Sequence, residues 1–410
     1  MNEPVLTALL LCAGLVLAAA AHRYRWRPSL RTALLVAVGF RVAVLAIAAQ
    51  GAWQPVDFVQ SFQPAGEAIL RHEDPVLSTD GSWRFLPMIP YAYAATLAAG
   101  IPWEVGGRLV TVLSDLVLVL LIGKLAGPGQ EATRRFQYAC SPLAVMVAAI
   151  HGQVEPVSLM FLVGAYLMAR ADRGLAAGIL FGLALSAKSW PIILLPVLLL
   201  MLSTWRQRVI ALIAGGAVPL LFFFTLPLGA GTPFSRLPDV VAMLRWVRPI
   251  VGEWGWTAWL TGGNWSLEPT YATVGQILIY SVLAVVFWVW RRADPIDLTT
   301  AMLLGFMVVT PRLGAQYLLW FVPFLIARPT RWAQYALAAC AVWAGLGYIY
   351  LTQFDHDGWA YHHAWWAMSS ILVIPLLIAA MPWKRRIFLP SHAQEPAPAP
   401  VARDLAKAGS

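Results

Sequence analysis

Charged residues are scarce in this chain, so the few that cluster are the first place to look for chemistry. The densest acidic stretch follows the second apolar run and holds Asp57, Glu67, Glu73 and Asp74. A carboxylate at the end of an apolar segment can accept the proton of an attacking hydroxyl, as a general base does. Asp57 is the best placed for that role; the bland alternative is a solvated helix end. Pro64 can open a short helix with Glu67 in its first turn, where acids are favoured electrostatically. Arg71 and Arg84 lie in the same loop. Lys188 and Arg312 each sit beside a proline turn. They can stabilise a developing negative charge or simply snorkel. His151, Gln153 and Glu155 form a polar turn that reads either as substrate contact or as a hydrogen-bonded turn. Asp355-His356-Asp357, with His362 and His363 nearby, looks metal-like but has no standard zinc spacing. Substrate contact by His356 and His362 and a solvated loop both stay open, and no metal is expected.

The elements that must position these residues are helices in a membrane. Of 410 residues, 60% are hydrophobic and 12% charged, against about 25% charged in a soluble protein. The apolar runs are continuous rather than alternating, which favours spanning helices over a barrel. The net charge of +9 is read as topogenic, with no nucleic-acid partner, because the basic residues fall in short loops. The loop Arg23–Arg31 is placed in the cytoplasm, so the run Thr32–Gln50 delivers Asp57 to the outer face. Phe85–Ala99 is interrupted by Pro87 and Pro90 and followed by Gly100 and Pro102; it is read as non-spanning. Basic loops then alternate with acidic ones to the end of the chain, giving about 12–13 spans with a cytoplasmic C-terminus. Residues 1–389 form one integral membrane domain, with outer loops at 51–104 and 229–269. Residues 390–410, rich in Pro and Ala, read as a disordered cytoplasmic tail.

Three further features carry expectations. Arg41 and Asp115 lie near half depth in their runs and should pair with each other. Trp246, Trp254, Trp256, Trp259 and Trp265 crowd the second outer loop, as an interfacial belt or as the lining of an acceptor groove. Cys12, Cys140 and Cys340 lie in apolar runs and imply neither a disulfide framework nor a metal motif.

Three blocks of sequence carry a resemblance. Asp57-Phe58 is followed by Ala68-Ile69-Leu70 and Asp74-Pro75. His151-Gly152-Gln153 is followed by Gly178–Ala184, then Lys188-Ser189-Trp190-Pro191 and Pro196. The third is Gln316-Tyr317-Leu318-Leu319-Trp320 with Pro323. In order and spacing, from Asp57 to about Ile326, they resemble the GT-C membrane glycosyltransferases of family 87, the polyprenol-phosphate-mannose-dependent group, and in particular its mycobacterial phosphatidylinositol mannoside type. The resemblance implies a GT-C fold with short extracytoplasmic juxtamembrane helices. It also implies inverting transfer of mannose from a polyprenyl-phosphate donor to a glycolipid or glycan outside the cytoplasm, without a cofactor. Asp57 would be the base, and Glu67, Arg71, His151, Gln153, Glu155, Lys188, Arg312, Gln316, His356 and His362 would contact substrate. Expected partners are membrane lipids, the lipid-linked donor and a glycolipid acceptor. Another lipid-linked sugar, such as arabinofuranose, is the near alternative. A transporter or flippase is the distant one; it should show internal repeats and midplane polar sites, whereas the halves show no repeat and the polar residues gather at one face.

Overall fold

The structure, a computed structural model, describes residues 3–245, 249–354 and 359–385. The Asp355–Asp357 motif with His356, Trp246, Arg248 and the 390–410 tail lie outside the described residues. The chain is an all-α polytopic membrane protein. Its helices in order are α1 Glu3–Arg23, α2 Leu30–Gln50, α3 Gln63–Leu70, α4 Met88–Ala98, α5 Trp103–Ala126, α6 Glu131–Ala139, α7 Pro142–Val145, α8 Glu155–Arg170, α9 Gly174–Ala187, α10 Leu195–Met201, α11 Trp205–Gly229, α12 Leu237–Arg245, α13 Gly255–Leu260, α14 Pro269–Trp290, α15 Pro295–Val309, α16 Val322–Ala327, α17 Ala333–Gly345, α18 Trp359–Ser369 and α19 Ile374–Ala380. A two-stranded antiparallel ribbon, β1 Ile250–Val251 with β2 Ser266–Leu267, sits between α12 and α14.

Among the described residues, seven helices are long and apolar enough to span a bilayer, and five shorter apolar ones accompany them. A helix of 21 residues, such as α2, rises about 31 Å, matching a hydrocarbon core of about 30 Å. The long helices α11 and α14 present Leu212, Leu220, Phe224, Ile277 and Val285 outward. Exposed apolar surface of this kind is costly in water and is what lipid covers. The short elements lie inside. Pro142 to His151 is wholly buried, changing from α7 to a π-helical turn at Met146–His151. Such broken helices are tolerated where protein surrounds them.

The helices give the molecule two ends of different chemistry. At one end, Thr133 Oγ1 donates to Trp26 O, and Arg134 meets His22 Nδ1 at 3.0 Å. That joins the basic loops at 23–31 and 124–135. Arg328 bridges Asp294 and Asp297 at 3.3 and 2.9 Å, and Arg385 reaches Asp297 at 3.4 Å. The other end carries Asp57. Helix α4, 11 residues long, rises only about 16 Å and cannot span. It stays at the Asp57 end: Tyr91 Oη donates to Thr225 Oγ1 near the close of α11, and Gly66 abuts Tyr93.

Half-way between the ends, Arg41 and Asp115 pair as the sequence implies. Arg41 Nε lies 2.5 Å from Asp115 Oδ2, and both side chains are fully buried. Tyr138 Oη donates to Asp115 Oδ1 at 2.5 Å, and Arg41 Nη1 donates to Ala139 O at 2.8 Å. The pair locks α2, α5 and α6 together, and the extra hydrogen bonds offset part of the cost of removing two charges from water.

Candidate active site

The residues around Asp57 are held by a packed aromatic anchor. Asp57 lies in the first turn of a helical stretch that passes through a π-helical segment, Phe58–Phe62, before becoming α3. The next side chain, Phe58, is fully buried. Its ring lies 4.7 Å from that of Trp103, and the Arg108 guanidinium sits 4.3 Å from its centroid. Trp103 Nε1 donates to Phe58 O at 3.1 Å. Two glycines make room for the ring: a Cβ on Gly107 or on Gly152 would come within 2.7 or 2.8 Å of it. Gly152 also adopts φ +69°, which only glycine takes up without strain. That left-handed turn lets His151 and Gln153 present their side chains to the same side.

The result is a connected set. Gln153 Nε2 donates to Asp57 Oδ2 at 2.8 Å, and His151 Nε2 lies 4.0 Å from the same oxygen. Lys188 Nζ donates to Gln153 Oε1 at 3.3 Å and forms a close ion pair with Glu155. His151 Nδ1 is 2.7 Å from Tyr348 Oη. Asp57 is the accessible member, with its side chain 53% exposed, while Lys188 is 8% and Glu155 0% exposed. So Lys188 is spent internally: it fixes Gln153, which orients Asp57.

Asp57 and His151 face a pocket of about 280 Å³, with Gln316, Tyr348, Thr352 and Glu253 on its walls. Glu253 is the residue that sequence reasoning missed. It stands between Gly252 at φ +99° and Gly255 at φ +55°. Trp254 is fully buried, with Nε1 donating to Met307 O at 2.7 Å. Gly255 N donates to Ser370 Oγ at 2.8 Å, and Thr257 Oγ1 donates to Pro311 O at 2.5 Å. The loop is therefore built to hold one carboxyl at the pocket. Burial pushes the Glu253 carboxyl up to about 7, against the pull of nearby Arg312 and with the added push of Asp57. The legible signal was the Gly-Glu-Trp-Gly run in a tryptophan-rich loop. Trp254 itself corrects the expectation of an interfacial belt: it is a core anchor, whereas Trp259 and Trp265 are exposed.

Other sequence candidates fall elsewhere. Glu67 is not in a first turn, because the helical stretch begins upstream at Val56 and continues through the π turn. It accepts from Gln63 at 3.0 Å and pairs with Arg71 at 3.8 Å on an exposed surface. Arg71 also bridges Glu73 at 3.0 Å. Neither lines the pocket. His362 is exposed on α18, and His356 lies outside the described residues.

A polytopic helical bundle with a carboxylate-lined pocket at one end defines a membrane-embedded protein with a candidate active site. The model of glycosyltransferase family 87 matches residues 86–313, more than half the chain, and the chain belongs to that family. The matched span includes His151, Gln153, Glu155, Lys188, Glu253 and Arg312, whereas Asp57 lies outside it, 29 residues before its start. No curated protein and no solved structure matches the chain. It is a multi-pass membrane glycosyltransferase.

Proposed function

We propose that the chain transfers mannose, with inversion, from polyprenyl-phosphate mannose to a glycolipid or glycan on the extracytoplasmic side. The carrying observation is the exposed Asp57 carboxylate on the pocket wall, oriented by Gln153. Asp57 takes the proton of the acceptor hydroxyl as that oxygen attacks the anomeric carbon, and the sugar–phosphate bond breaks on the opposite face. Arg312 meets the charge that develops on the departing phosphate. Lys188, buried against Glu155, acts through Gln153 as a positioning residue. His151 and Gln316, which line the pocket, hold sugar hydroxyls on this reading. Glu253, its carboxyl pushed up to about 7 by burial, carries less charge near neutral pH than an ordinary glutamate and so repels an anionic donor less. The proposed step draws on no cofactor beyond the lipid-linked sugar. The basic loops gather at the end away from the pocket, which supports an extracytoplasmic site.

The test is transfer by the purified protein in lipid nanodiscs, given radiolabelled polyprenyl-phosphate mannose and a lipid extract. Labelled glycolipid with the anomeric configuration opposite to the donor's is expected. Equal transfer from a nucleotide sugar alone, or retained configuration, would overturn the donor and mechanism proposed.

A further inference from the structure

A second, larger cavity of about 810 Å³ lies beside the Asp57 pocket, between the start of α1, the end of α2 and the segment that follows α17. Trp53 and Thr352 line both spaces. Its polar walls come from Glu3, Thr7, Gln54, Arg108, Thr352 and Gln353. Most of their side-chain donors are already engaged. Arg108 donates to Ile150 O at 3.0 and 2.8 Å, to Glu104 O at 2.7 Å and to Gln54 Oε1 at 2.7 Å. Gln54 Nε2 donates to Ala48 O and Gly51 O, and Gln353 Nε2 to Tyr348 O. The Thr7 and Thr352 hydroxyls donate to Glu3 O and Tyr348 O. What remains for a ligand is mostly acceptors, the Glu3 carboxylate, Gln353 Oε1 and the two threonine oxygens, beside the single indole N–H of Trp53. Among the described residues, Arg108 is the one cation on these walls, and it is committed. The surface is wrong for a phosphate and right for a group rich in hydroxyl donors.

One step further along α1, the lining turns apolar. Ala8, Leu11, Cys12 and Leu15 face Ile349 and Phe354 across a crevice of about 260 Å³. Ala8 follows Thr7 and Phe354 follows Gln353 in the chain, so the same two segments line both the polar cavity and the crevice. A polar chamber that shares walls with the Asp57 pocket and has an apolar crevice next along α1 matches a molecule with a polyol head and a hydrocarbon tail.

We propose that this cavity is the acceptor subsite: it binds the uncharged, hydroxyl-rich headgroup of a lipid acceptor, whose tail lies in the crevice between α1 and residues 345–354. The assignment rests on the transferase reading above, and it separates the two substrates. The donor phosphate approaches Arg312 across the Asp57 pocket, and the acceptor hydroxyl arrives past Trp53 and Thr352.

The probe is an octyl mannoside carrying a diazirine in its alkyl chain, photolysed with the full-length protein in nanodiscs and mapped by mass spectrometry. Crosslinks are expected within 7–15 and 345–354. Unlabelled octyl mannoside should compete, and octyl phosphate should not. Gln353→Leu, which removes a headgroup acceptor, should cut labelling about tenfold. Ala8→Trp, which fills the crevice, should cut it too, while Leu212→Trp on the lipid face of α11 should leave it unchanged. Crosslinks mapping elsewhere, or equal competition by octyl phosphate or by octylammonium, would overturn the proposal. Because labelling needs no turnover, specific crosslinks without transfer from polyprenyl-phosphate mannose would refute the proposed donor and leave the subsite standing. Transfer with crosslinks elsewhere would do the reverse.

Discussion

At the scale of single residues, the site depends on who is buried and who is not. Asp57 and Lys188 are both tied to Gln153, yet only Asp57 opens to the pocket. Glu253 shows what burial does to a carboxyl. Its folded-state pKa is raised to about 7 from 4.5. Between those values the folded chain holds a proton that the unfolded chain has released, so stability falls as pH rises through that window. Glu253→Gln abolishes this titration. The variant should therefore gain thermal stability relative to wild type at pH 8 compared with pH 5. Melting curves at both pH values check it, and an identical difference at both would contradict it. Asp57 stood out in the sequence because ionisable residues are rare in so apolar a chain and this one follows a spanning run that ends at Gln50. Glu253 was not, because it is one of many acids in the loops, and its distinction is a burial that only the folded loop creates.

At the scale of elements, helix ends decide which residues meet. Glu155 opens α8 and Lys188 follows α9, and the two helices form an antiparallel hairpin joined at 171–173. Start and finish therefore lie side by side, and the pair Glu155–Lys188 follows from the hairpin itself. Both residues were visible as candidates in the sequence, but as separate contacts, because periodicity gives helix ends without saying which neighbours face each other. The π turn at Phe58–Phe62 was not visible, since it preserves the apolar pattern while shifting its phase, and this is why Glu67 was misplaced. The Arg41–Asp115 pair was predictable because a lone charge at half depth demands a partner. Arg41→Met should cost about 3–5 kcal/mol by stranding Asp115, whereas Arg41→Met with Asp115→Leu should recover most of that loss. Denaturant unfolding of the three proteins in mixed micelles would show it. A double variant as unstable as the single one would mean that the pair is not the organising contact.

At the scale of the whole molecule, long lipid-facing helices enclose broken ones, and the broken ones end at the pocket. Residues from the 51–57 turn, the 151–155 turn, the 250–255 loop, the 315–316 turn and the segment after α17 converge there. The charge pattern of the sequence was enough to separate a basic end from a catalytic end, because membrane insertion itself reads that pattern. The convergence was not, because these segments, joined there by Trp366 of α18, meet only through packing. All of this serves one claim, that Asp57 accepts the proton of the attacking hydroxyl. The direct measurement is the initial rate of mannose transfer from polyprenyl-phosphate mannose by wild type and by Asp57→Asn, an isosteric change that keeps the pocket but removes the base. A fall of about 100-fold or more is predicted, with the fold and donor binding intact. Wild-type transfer by Asp57→Asn would contradict the account.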